Sequence, residues 1–416
     1  MSHVTIIGAG IIGACCARYL TLAGHEVTLV DRIEPGMGCS FGNAGVISTL
    51  GSSVQPPSPR LLKDIPSMLF DRDATLVIRW SYLFKMMPWL VTLLRGCTTA
   101  DQQRTAAAMA SLLDGTTSAY DTIVRDTEAD QFIRRNGLLG LYSSEQSFAN
   151  DQWRRDMNRS FGATFDELAR EEIRQMEPVL SDQVARAIFF PTVYSTDNPG
   201  LLTRAIADRA CDGQAKGYVQ AEVRDLQIDN GRVTRLKTDQ GDMPVDKLVV
   251  AAGAFSHRLA RMMGIRVLLE SERGYHVELE GFESGLTRVC LHYEHAYGIN
   301  PTTTGLRFAG TVELAGVDAP EKHERGQTIW RRARPVLREL EGVDNPKMTT
   351  WMGRRPTLPD FRPMIGPAPG VRDCWFAFGH QHLGLTLGAR TGAIIADLVS
   401  GHDPGLDLEP FRTDRF

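Results

Sequence analysis

Three arginines stand among four prolines near the C-terminus, in the stretch WMGRRPTLPDFRPMIGP at residues 351–367. The guanidinium groups of Arg354, Arg355 and Arg362 can each hold a carboxylate or a phosphate through two parallel hydrogen bonds. A helix interior is excluded here, because a proline ring lacks an N–H donor and clashes with the preceding turn. The stretch is therefore either a plain linker or a rigid loop that presents a guanidinium to an anion, and the rest of the chain decides between them.

Glycines with a defined spacing supply a second chemical pattern, Gly8-x-Gly10-x-x-Gly13, at the other end of the chain. Gly8 allows a tight turn, Gly10 lets the backbone approach a pyrophosphate, and Gly13 lets a helix pack closely on a strand. Asp31 follows about 20 residues later, where its carboxylate can accept hydrogen bonds from both hydroxyls of a ribose and disfavours the extra phosphate of NADP. The pattern predicts a dinucleotide site, to which we add the neighbouring residues Ile11, Ile12 and Arg32.

The elements around this motif have the order that such a site requires. The sequence predicts a strand at His3–Ile7, a helix at Ala14–Ala23 and a second strand at Glu26–Val30. The N-terminus of the helix offers unpaired N–H groups and a partial positive charge to the phosphates. A lone glycine motif is weak evidence, but here two strands, a helix and the terminal acid agree.

The segments that follow distinguish FAD from NAD. An NAD-dependent dehydrogenase would continue with regular alternation of strands and helices, whereas residues 39–48 read CSFGNAGVIS, a loop of small residues that can lie against a flat ring system. Further strands are predicted at Val219–Ile228, at Val233–Thr238 after an Asn-Gly turn, and at residues 246–250. A helix predicted at Ala389–Val399 follows a glycine-rich loop, and its N-terminus suits a phosphate or the electron-rich end of a flavin.

Together these motifs resemble those of D-amino-acid oxidase-like FAD proteins, and most of all bacterial D-amino-acid dehydrogenases and D-hydroxyproline dehydrogenases. The dinucleotide unit, SFGNAG, LVVAAGAFS, GRRPTLPDFRPMIG and GHQHLGLTLGARTG occur in the order typical of that family, over nearly the whole chain. The resemblance implies an α/β fold, in which a Rossmann-like FAD-binding domain of the glutathione-reductase type is interleaved with an α+β substrate domain containing a mostly antiparallel sheet. We expect the FAD-binding domain at residues 1–79, 196–265 and 351–416, and the substrate domain at residues 80–195 and 266–350.

The resemblance also implies cofactor contacts along the chain. Val223 is expected at the adenine end of FAD. The other expected contacts come from the small-residue loop, from the turn after the strand at 246–250 and from the segment beside the isoalloxazine: Ser40, Asn43, Ala44, Gly45, Val46, Ala252, Gly253, Gly384, Leu385 and Thr386. Because GHQHLGLT contains no cysteine, we expect the FAD to be bound noncovalently.

The substrate side follows from the chemistry of amine oxidation. The substrate α-carbon has to lie over flavin N5 with its hydrogen pointing at the ring, so the carboxylate of an amino acid needs a fixed anchor. The G-x-R-P motif of the family selects Arg355 as that anchor. Arg354 is then expected to face solvent or an acidic neighbour, and Arg362 is expected to be structural.

Other candidates lie in two further segments. Tyr275 and His276 fall in a segment similar to the substrate-facing one of the family, so we expect Tyr275 to donate to a carboxylate and His276 to bond to substrate or flavin. Tyr297 either lines the pocket or is an ordinary half-buried strand residue, and His382 is selected over His380 as a contact with substrate or cofactor. The H-x-x-H pair His292 and His295 lacks a third ligand, and a strand would place the two rings on opposite faces, so we predict no metal site.

Composition limits the partners and the location. The 416-residue chain exceeds one ordinary core, and its net charge of −4 offers no basic face to nucleic acid. Seven cysteines without a C-x-x-C pair, and the lack of a secretory signal pattern, favour a cytoplasmic protein. Residues 79–95, RWSYLFKMMPWLVTLLR, are too short to span a bilayer. They predict either a helix packed on the protein surface or a peripheral contact with the inner face of the membrane.

The sequence therefore predicts an FAD-dependent D-amino-acid dehydrogenase-like oxidoreductase that acts on CH–NH2 or CH–NH donors. A hydride would pass from the α-carbon of a D-amino or imino acid to flavin N5, with D-proline and 4-hydroxy-D-proline as specific versions and a quinone or another electron carrier as acceptor. Two alternatives stay open: an O2-using oxidase of glycine- or sarcosine-type secondary amines, and a non-catalytic FAD-bound subunit of a heteromeric complex.

Overall fold

The computed structural model describes residues 1–49, 68, 71, 74–125, 127–215, 217–344 and 346–416. Its strands are β1 (His3–Ile7), β2 (Glu26–Asp31), β3 (Val46–Ile47), β4 (Leu76–Ile78), β5 (Ile133–Arg134), β6 (Leu138–Tyr142), β7 (Asp166–Ala169), β8 (Arg186–Phe190), β9 (Tyr194–Thr196), β10 (Tyr218–Gln220), β11 (Val223–Asp229), β12 (Arg232–Thr238), β13 (Gly241–Pro244), β14 (Lys247–Val250), β15 (Glu270–Glu280), β16 (Val289–His292), β17 (Tyr297–Thr302), β18 (Gly305–Leu314), β19 (Thr349–Thr357), β20 (Met364–Pro367) and β21 (Cys374–Phe378). Its helices are α1 (Ile11–Leu22), α2 (Trp80–Arg95), α3 (Thr99–Leu113), α4 (Thr116–Val124), α5 (Glu145–Asn150), α6 (Gln152–Ser160), α7 (Arg170–Met176), α8 (Pro199–Cys211), α9 (Ser256–Met262), α10 (Glu324–Ala333) and α11 (Gly384–Ser400).

A six-stranded sheet carries the N-terminal motif. Its strand order is β10-β2-β1-β14-β21-β20, and every neighbouring pair is parallel except β20 with β21. Helices α1, α8 and α11 cover one face, while α9 and the three-stranded sheet β11-β12-β13 cover the other. Burial on both faces explains the apolar runs in β1 and β14, as is usual for parallel sheets.

A larger, mostly antiparallel sheet faces this unit. Its path is β19-β15-β18-β17-β16-β6-β8-β7, and β4 adds to β18 in parallel. Ile329, Trp330 and Ala333 of α10 pack into the core beneath it. A small sheet, β3-β9-β5, pairs the end of the small-residue loop with β9.

The predicted fold class is confirmed, and the N-terminal strands have the predicted bounds within one residue. Two element predictions are wrong. The single strand predicted at Val219–Ile228 is two strands, because β10 pairs with β2 whereas β11 leaves that sheet to pair with β12. The segment GRRP is part of strand β19 and not a loop, because it forms a continuous antiparallel ladder with β15.

The division into two domains stays a prediction. The six-stranded sheet draws its strands from the segments assigned to the FAD-binding domain. However, β4 and β19 pair with the large sheet, although they lie in segments 1–79 and 351–416. Part of segment 1–79, residues 50–67 above all, lies outside the described residues.

Candidate active site

The glycine motif forms the turn from β1 into α1, as its spacing requires. Gly8 has φ +113°, and a Cβ there would lie 2.4 Å from the carbonyl oxygen of Ala251. A Cβ at Gly13 would lie 1.8 Å from the carbonyl oxygen of Gly8, so only glycine allows α1 to pack this closely on the turn. Around Gly10, the nearest atom to an added Cβ is Ser40 Oγ at 3.4 Å, which leaves the N-terminus of α1 open to a ligand.

Asp31 closes this end of the site from the end of β2. Its carboxylate accepts hydrogen bonds from the backbone N–H groups of Ala9 (2.8 Å) and Ile33 (3.3 Å), and burial raises its pKa. The neighbouring Arg32 guanidinium lies 4.1 Å from the centre of the Phe255 ring. Both residues line the same cavity as Gly8 and Gly10, so the predicted dinucleotide residues meet.

The small-residue loop is fixed at both ends. Ser40 Oγ accepts a hydrogen bond from Ile11 N (3.0 Å), which ties the loop to the first turn of α1. The Arg307 guanidinium donates to the carbonyl oxygens of Phe41 (2.9 Å) and Asn43 (3.0 Å) and forms an ion pair with Glu278 (2.7 Å). Arg307 is nearly buried and thus joins the loop to the large sheet. No sequence pattern singles it out.

The first turn of α11 completes the cofactor side. Gly384, Leu385 and Thr386 lie at this N-terminus and line the cavity, so two helix N-termini, those of α1 and α11, meet in one space. The hydroxyl of Thr386 donates to Val46 O (3.2 Å) and accepts from Ser48 N (3.1 Å), and this holds α11 against the small-residue loop.

These features surround a cavity of about 790 Å³ that extends from Val223 to the strands β15 and β19. Of the eighteen predicted cofactor contacts, all but Gly13 and Gly45 line it. Gly13 packs behind the turn, and a Cβ at Gly45 would lie 2.1 Å from Asn300 Nδ2, so both glycines serve close packing. The open glycine turn, the two helix N-termini and the carboxylate at Asp31 fit the pyrophosphate and ribose of FAD.

Arg355 reaches the cavity from β19. Its Nη1 donates to Thr311 O (3.3 Å), and it forms no ion pair with any residue in the described part of the chain. By contrast, Arg354 donates to Val317 O (2.7 Å) with Glu321 among its charged neighbours, and Arg362 pairs with Asp360 (2.9 Å). Arg354 and Arg355 thus both line the cavity without a salt bridge to a described residue, whereas Asp360 balances the charge of Arg362.

Tyr275 lines the cavity, but its hydroxyl proton is already engaged. The hydroxyl donates to Glu313 Oε2 (2.8 Å), a buried carboxylate that also accepts from Arg273 (3.0 Å) and Arg79 (2.6 Å). Lys322 N donates to the same hydroxyl oxygen (3.2 Å). A hydroxyl has one proton, and in this geometry Tyr275 donates it to Glu313. The structure therefore differs from the expectation that Tyr275 donates to a substrate carboxylate.

The predicted histidines separate into two positions. His382 lines the cavity and is exposed to it, and the surrounding protein together with the nearby charge of Arg355 lowers its pKa. His276 lies behind the wall: its Nδ1 is 3.1 Å from Gly42 O, and its ring stacks on Trp351 at 5.1 Å. Burial and Arg307 lower its pKa to about 4 as well. His276 therefore supports the small-residue loop through backbone and ring contacts.

Tyr297 does not line the cavity. Its ring stacks on His292 (5.0 Å), which in turn stacks on His295 (4.7 Å). The expectation that the two histidines occupy opposite faces is wrong, because β16 ends at His292 and the turn after it brings His295 back over the first ring. Among the residues described, no group of three or more His, Cys, Asp or Glu side chains is placed to hold a metal.

Trp351 and Gln381 are among the cavity residues that the sequence did not reveal. The Trp351 ring occupies the space that a Cβ at Gly42 would fill, 2.0 Å away, and so packs flat against the small-residue loop. Gln381 adopts φ +52° immediately before α11 and lines the cavity. The tryptophan beside G-R-R-P could have suggested the first contact, but the backbone of Gln381 left no signal in the sequence.

The fold and the site thus define a dinucleotide-binding α/β protein whose second sheet closes a cavity over the cofactor end. The family model described as FAD dependent oxidoreductase (DAO) matches residues 3–398. The chain belongs to this family of FAD-dependent oxidoreductases, and FAD is its cofactor.

Individual relatives extend over the full length of the chain. A D-amino-acid oxidase of Bradyrhizobium diazoefficiens is 36% identical over 419 residues, covering 100% of this chain and 99% of the relative. A D-amino acid dehydrogenase of Rhizobium rhizogenes is 30% identical over 421 residues, covering 99% of both.

Solved structures show the same fold at lower identity. The L-proline dehydrogenase from P. horikoshii superposes with a TM-score of 0.73 at 18% identity, over 99% of this chain and 96% of the other. The glycine oxidase from Bacillus cereus superposes with a TM-score of 0.71 at 22% identity, over 96% of this chain and 95% of the other. At these identities the likeness concerns the fold alone.

Proposed function

We propose that this enzyme oxidises D-amino acids or cyclic D-imino acids at the α-carbon, with Arg355 as the anchor of the substrate carboxylate. The observation that supports it is the guanidinium of Arg355, which faces the cavity without an ion-pair partner in the described chain, close to the first turn of α11. Bound FAD supplies the hydride acceptor. A planar guanidinium fixes a carboxylate through two bonds, and this orients the α-hydrogen.

The electrostatics of the cavity favour an acid. His382 adds no positive charge at pH 7, because the surrounding protein and the charge of Arg355 lower its pKa. The charge of Glu313 is balanced by Arg79 and Arg273, outside the reach of a ligand. The guanidinium groups of Arg354 and Arg355 then line this end of the cavity, and a carboxylate satisfies a guanidinium better than a neutral amine does.

Anaerobic reduction of the flavin tests this function directly. D-alanine, D-proline, 4-hydroxy-D-proline, glycine and sarcosine are mixed with the oxygen-free holoenzyme, and the bleaching of the flavin absorbance is followed. We expect Arg355→Ala to keep its FAD and to lose kcat/KM by at least about a hundredfold, as for the loss of a buried charged contact. Near-normal bleaching of the flavin-loaded variant would refute the role of Arg355.

The proposal also covers the substrate and the electron acceptor. The named relatives include both a D-amino-acid oxidase and a D-amino acid dehydrogenase. We propose the dehydrogenase, with a quinone or another carrier as acceptor and with D-proline or 4-hydroxy-D-proline as specific substrates. Slow re-oxidation of the reduced enzyme by air supports this reading, whereas fast re-oxidation with glycine or sarcosine as the best donor supports the oxidase.

We further propose that the FAD is noncovalent, so that acid precipitation of the protein releases the flavin into solution.

We also propose a cytoplasmic enzyme that touches the inner membrane face through residues 79–95. Helix α2 in this segment exposes Phe84 (86%) and Met87 (38%) and contains no acidic residue. Co-sedimentation with anionic vesicles, lost in Phe84→Ser, is the measurement. Among the described residues one helical segment, Gln381–Ser400, is long and apolar enough to cross a bilayer, but 67% of its apolar 18-residue window is buried inside the protein.

A further inference from the structure

The backbone conformation of Gly274 does not require a glycine. It lies inside β15, and its φ is not in the left-handed region that the turn glycines of this chain occupy. The three atoms nearest to an added Cβ all belong to Arg355: Cζ and Nη2 at 2.2 Å and Nη1 at 2.6 Å. The guanidinium of Arg355 therefore lies flat on the backbone of Gly274, in the space that any other residue would fill.

The strand on the other side of Gly274 is shaped around the same group. The register between β15 and β18 shifts between Arg273 and Tyr275, so that Thr311 and its neighbour oppose Gly274 in a β-bulge. Thr311 has φ +56°, which is rare for a β-branched residue, and its carbonyl oxygen accepts the hydrogen bond from Arg355 Nη1. The bulge thus turns a backbone acceptor toward the guanidinium.

A buried carboxylate completes the surroundings of Arg355. Glu272 is the direct cross-strand partner of Arg355 in the ladder between β15 and β19, so the two side chains share a face. Glu272 is 8% exposed. Burial raises the pKa of this carboxyl group, and no ion pair joins it to Arg355 among the described residues. The backbone of Gly274 and the carbonyl oxygen of Thr311 set the height of the guanidinium above the sheet.

We propose that Gly274, together with the bulge at Thr311, positions Arg355, and that the missing side chain at residue 274 sets the depth of the carboxylate subsite. This inference rests on the proposed function, in which Arg355 binds the substrate carboxylate. Gly274 touches neither the carboxylate nor the α-carbon in this account, so it is a positioning residue.

The test is Gly274→Ala, compared with Arg355→Ala and with the double variant. The new methyl group requires the guanidinium to move by about 1 Å, and such a misplacement costs about a hundredfold in kcat/KM. We expect most of this loss in KM for D-amino acids, and little change for D-amino-acid amides, which lack the carboxylate. Gly96→Ala is the matched control, because Gly96 ends α2 at φ −82° and an added Cβ there meets nothing closer than 3.5 Å.

The double variant separates positioning from a general defect. Once Arg355 is alanine, a methyl group at residue 274 has nothing to displace, so the double variant should match Arg355→Ala in activity and in FAD content. If Gly274→Ala alone loses FAD, recovery of FAD in the double variant still locates the clash at Arg355.

Two results overturn the inference. The first is that Gly274→Ala keeps the KM of the wild type while Arg355→Ala is inactive. The second is that the loss of kcat/KM in the double variant equals the product of the losses in the two single variants. Full activity of Arg355→Ala would instead refute the proposed function itself.

Discussion

Replacing Arg307 by methionine is expected to weaken both the fold and the binding of FAD, by separable amounts. The guanidinium forms an ion pair with Glu278 at 2.7 Å and donates to the carbonyl oxygens of Phe41 and Asn43. Loss of one partner from a buried ion pair costs about 3–5 kcal/mol, because the other charge stays buried and uncompensated. Since Thr302 and Thr304 still donate to Glu278, we expect a value near 3 kcal/mol for the single variant.

The double variant Arg307→Met/Glu278→Gln removes the lone charge. The free energy of unfolding should then return to within about 1–2 kcal/mol of the wild type, as for buried ion pairs replaced by neutral groups. The small-residue loop still lacks its two bonds from Arg307, each worth about 1.5–3 kcal/mol when the donor is charged. We therefore expect FAD to bind the double variant at least tenfold more weakly than the wild type.

Two measurements decide the matter. Urea unfolding of the apoprotein gives the stability of the wild type, both single variants and the double variant, and quenching of flavin fluorescence gives the dissociation constant of FAD. If the double variant recovers both stability and FAD affinity, Arg307 only balances Glu278, and the argument that it holds the loop is wrong.

Two further predictions concern pH and the glycine turn. Burial lowers the pKa of three histidines from 6.5 to about 3 or 4, so below about pH 6.5 the unfolded chain binds protons that the folded chain does not: His276, His292 and His380. The free energy of unfolding of the apoprotein should be highest above this pH and should fall toward pH 4 by about 1.4 kcal/mol per pH unit for each histidine. Urea unfolding at several pH values measures this dependence, and the free energy should fall less steeply with pH in His292→Asn than in the wild type. Gly13→Ala should destabilise the apoprotein, because its methyl group would lie 1.8 Å from Gly8 O, whereas Gly10→Ala should weaken FAD binding alone. Equal thermal destabilisation of the two glycine variants would contradict the distinct roles assigned to them.

The cofactor end of the site was predictable because its determinants are local. Strand, turn, helix and acid follow one another in β1, α1 and β2, and the glycine spacing reports distances within a single turn. The helix predicted at Ala389–Val399 starts five residues too late, because the glycine-rich segment before it favours a loop, whereas α11 in the structure starts at Gly384. Tertiary packing overrode local propensity there.

The substrate end depends on contacts between distant strands, and these left few marks in the sequence. The prolines near Arg355 suggested a loop, yet β19 is an edge strand, where a proline that donates no hydrogen bond is tolerated. The engagement of Tyr275 by Glu313 joins β15 to β18, and no spacing rule within one segment reveals it. Arg307 was missed for the same reason, because Phe41 and Asn43, whose carbonyl oxygens it binds, lie more than 200 residues away in the chain.

The position of β1 inside its sheet has a consequence for synthesis on the ribosome. One neighbour of β1 is β2, which is made soon after it, but the other is β14, where Lys247 pairs with Val4. At about 5–20 residues per second, some tens of seconds pass before β14 is translated, and until then the N–H and C=O groups on this edge of β1 lack their partners. The nascent chain therefore carries an unpaired strand edge for most of its elongation, which makes chaperone protection of the N-terminal unit a determinant of the yield of folded enzyme.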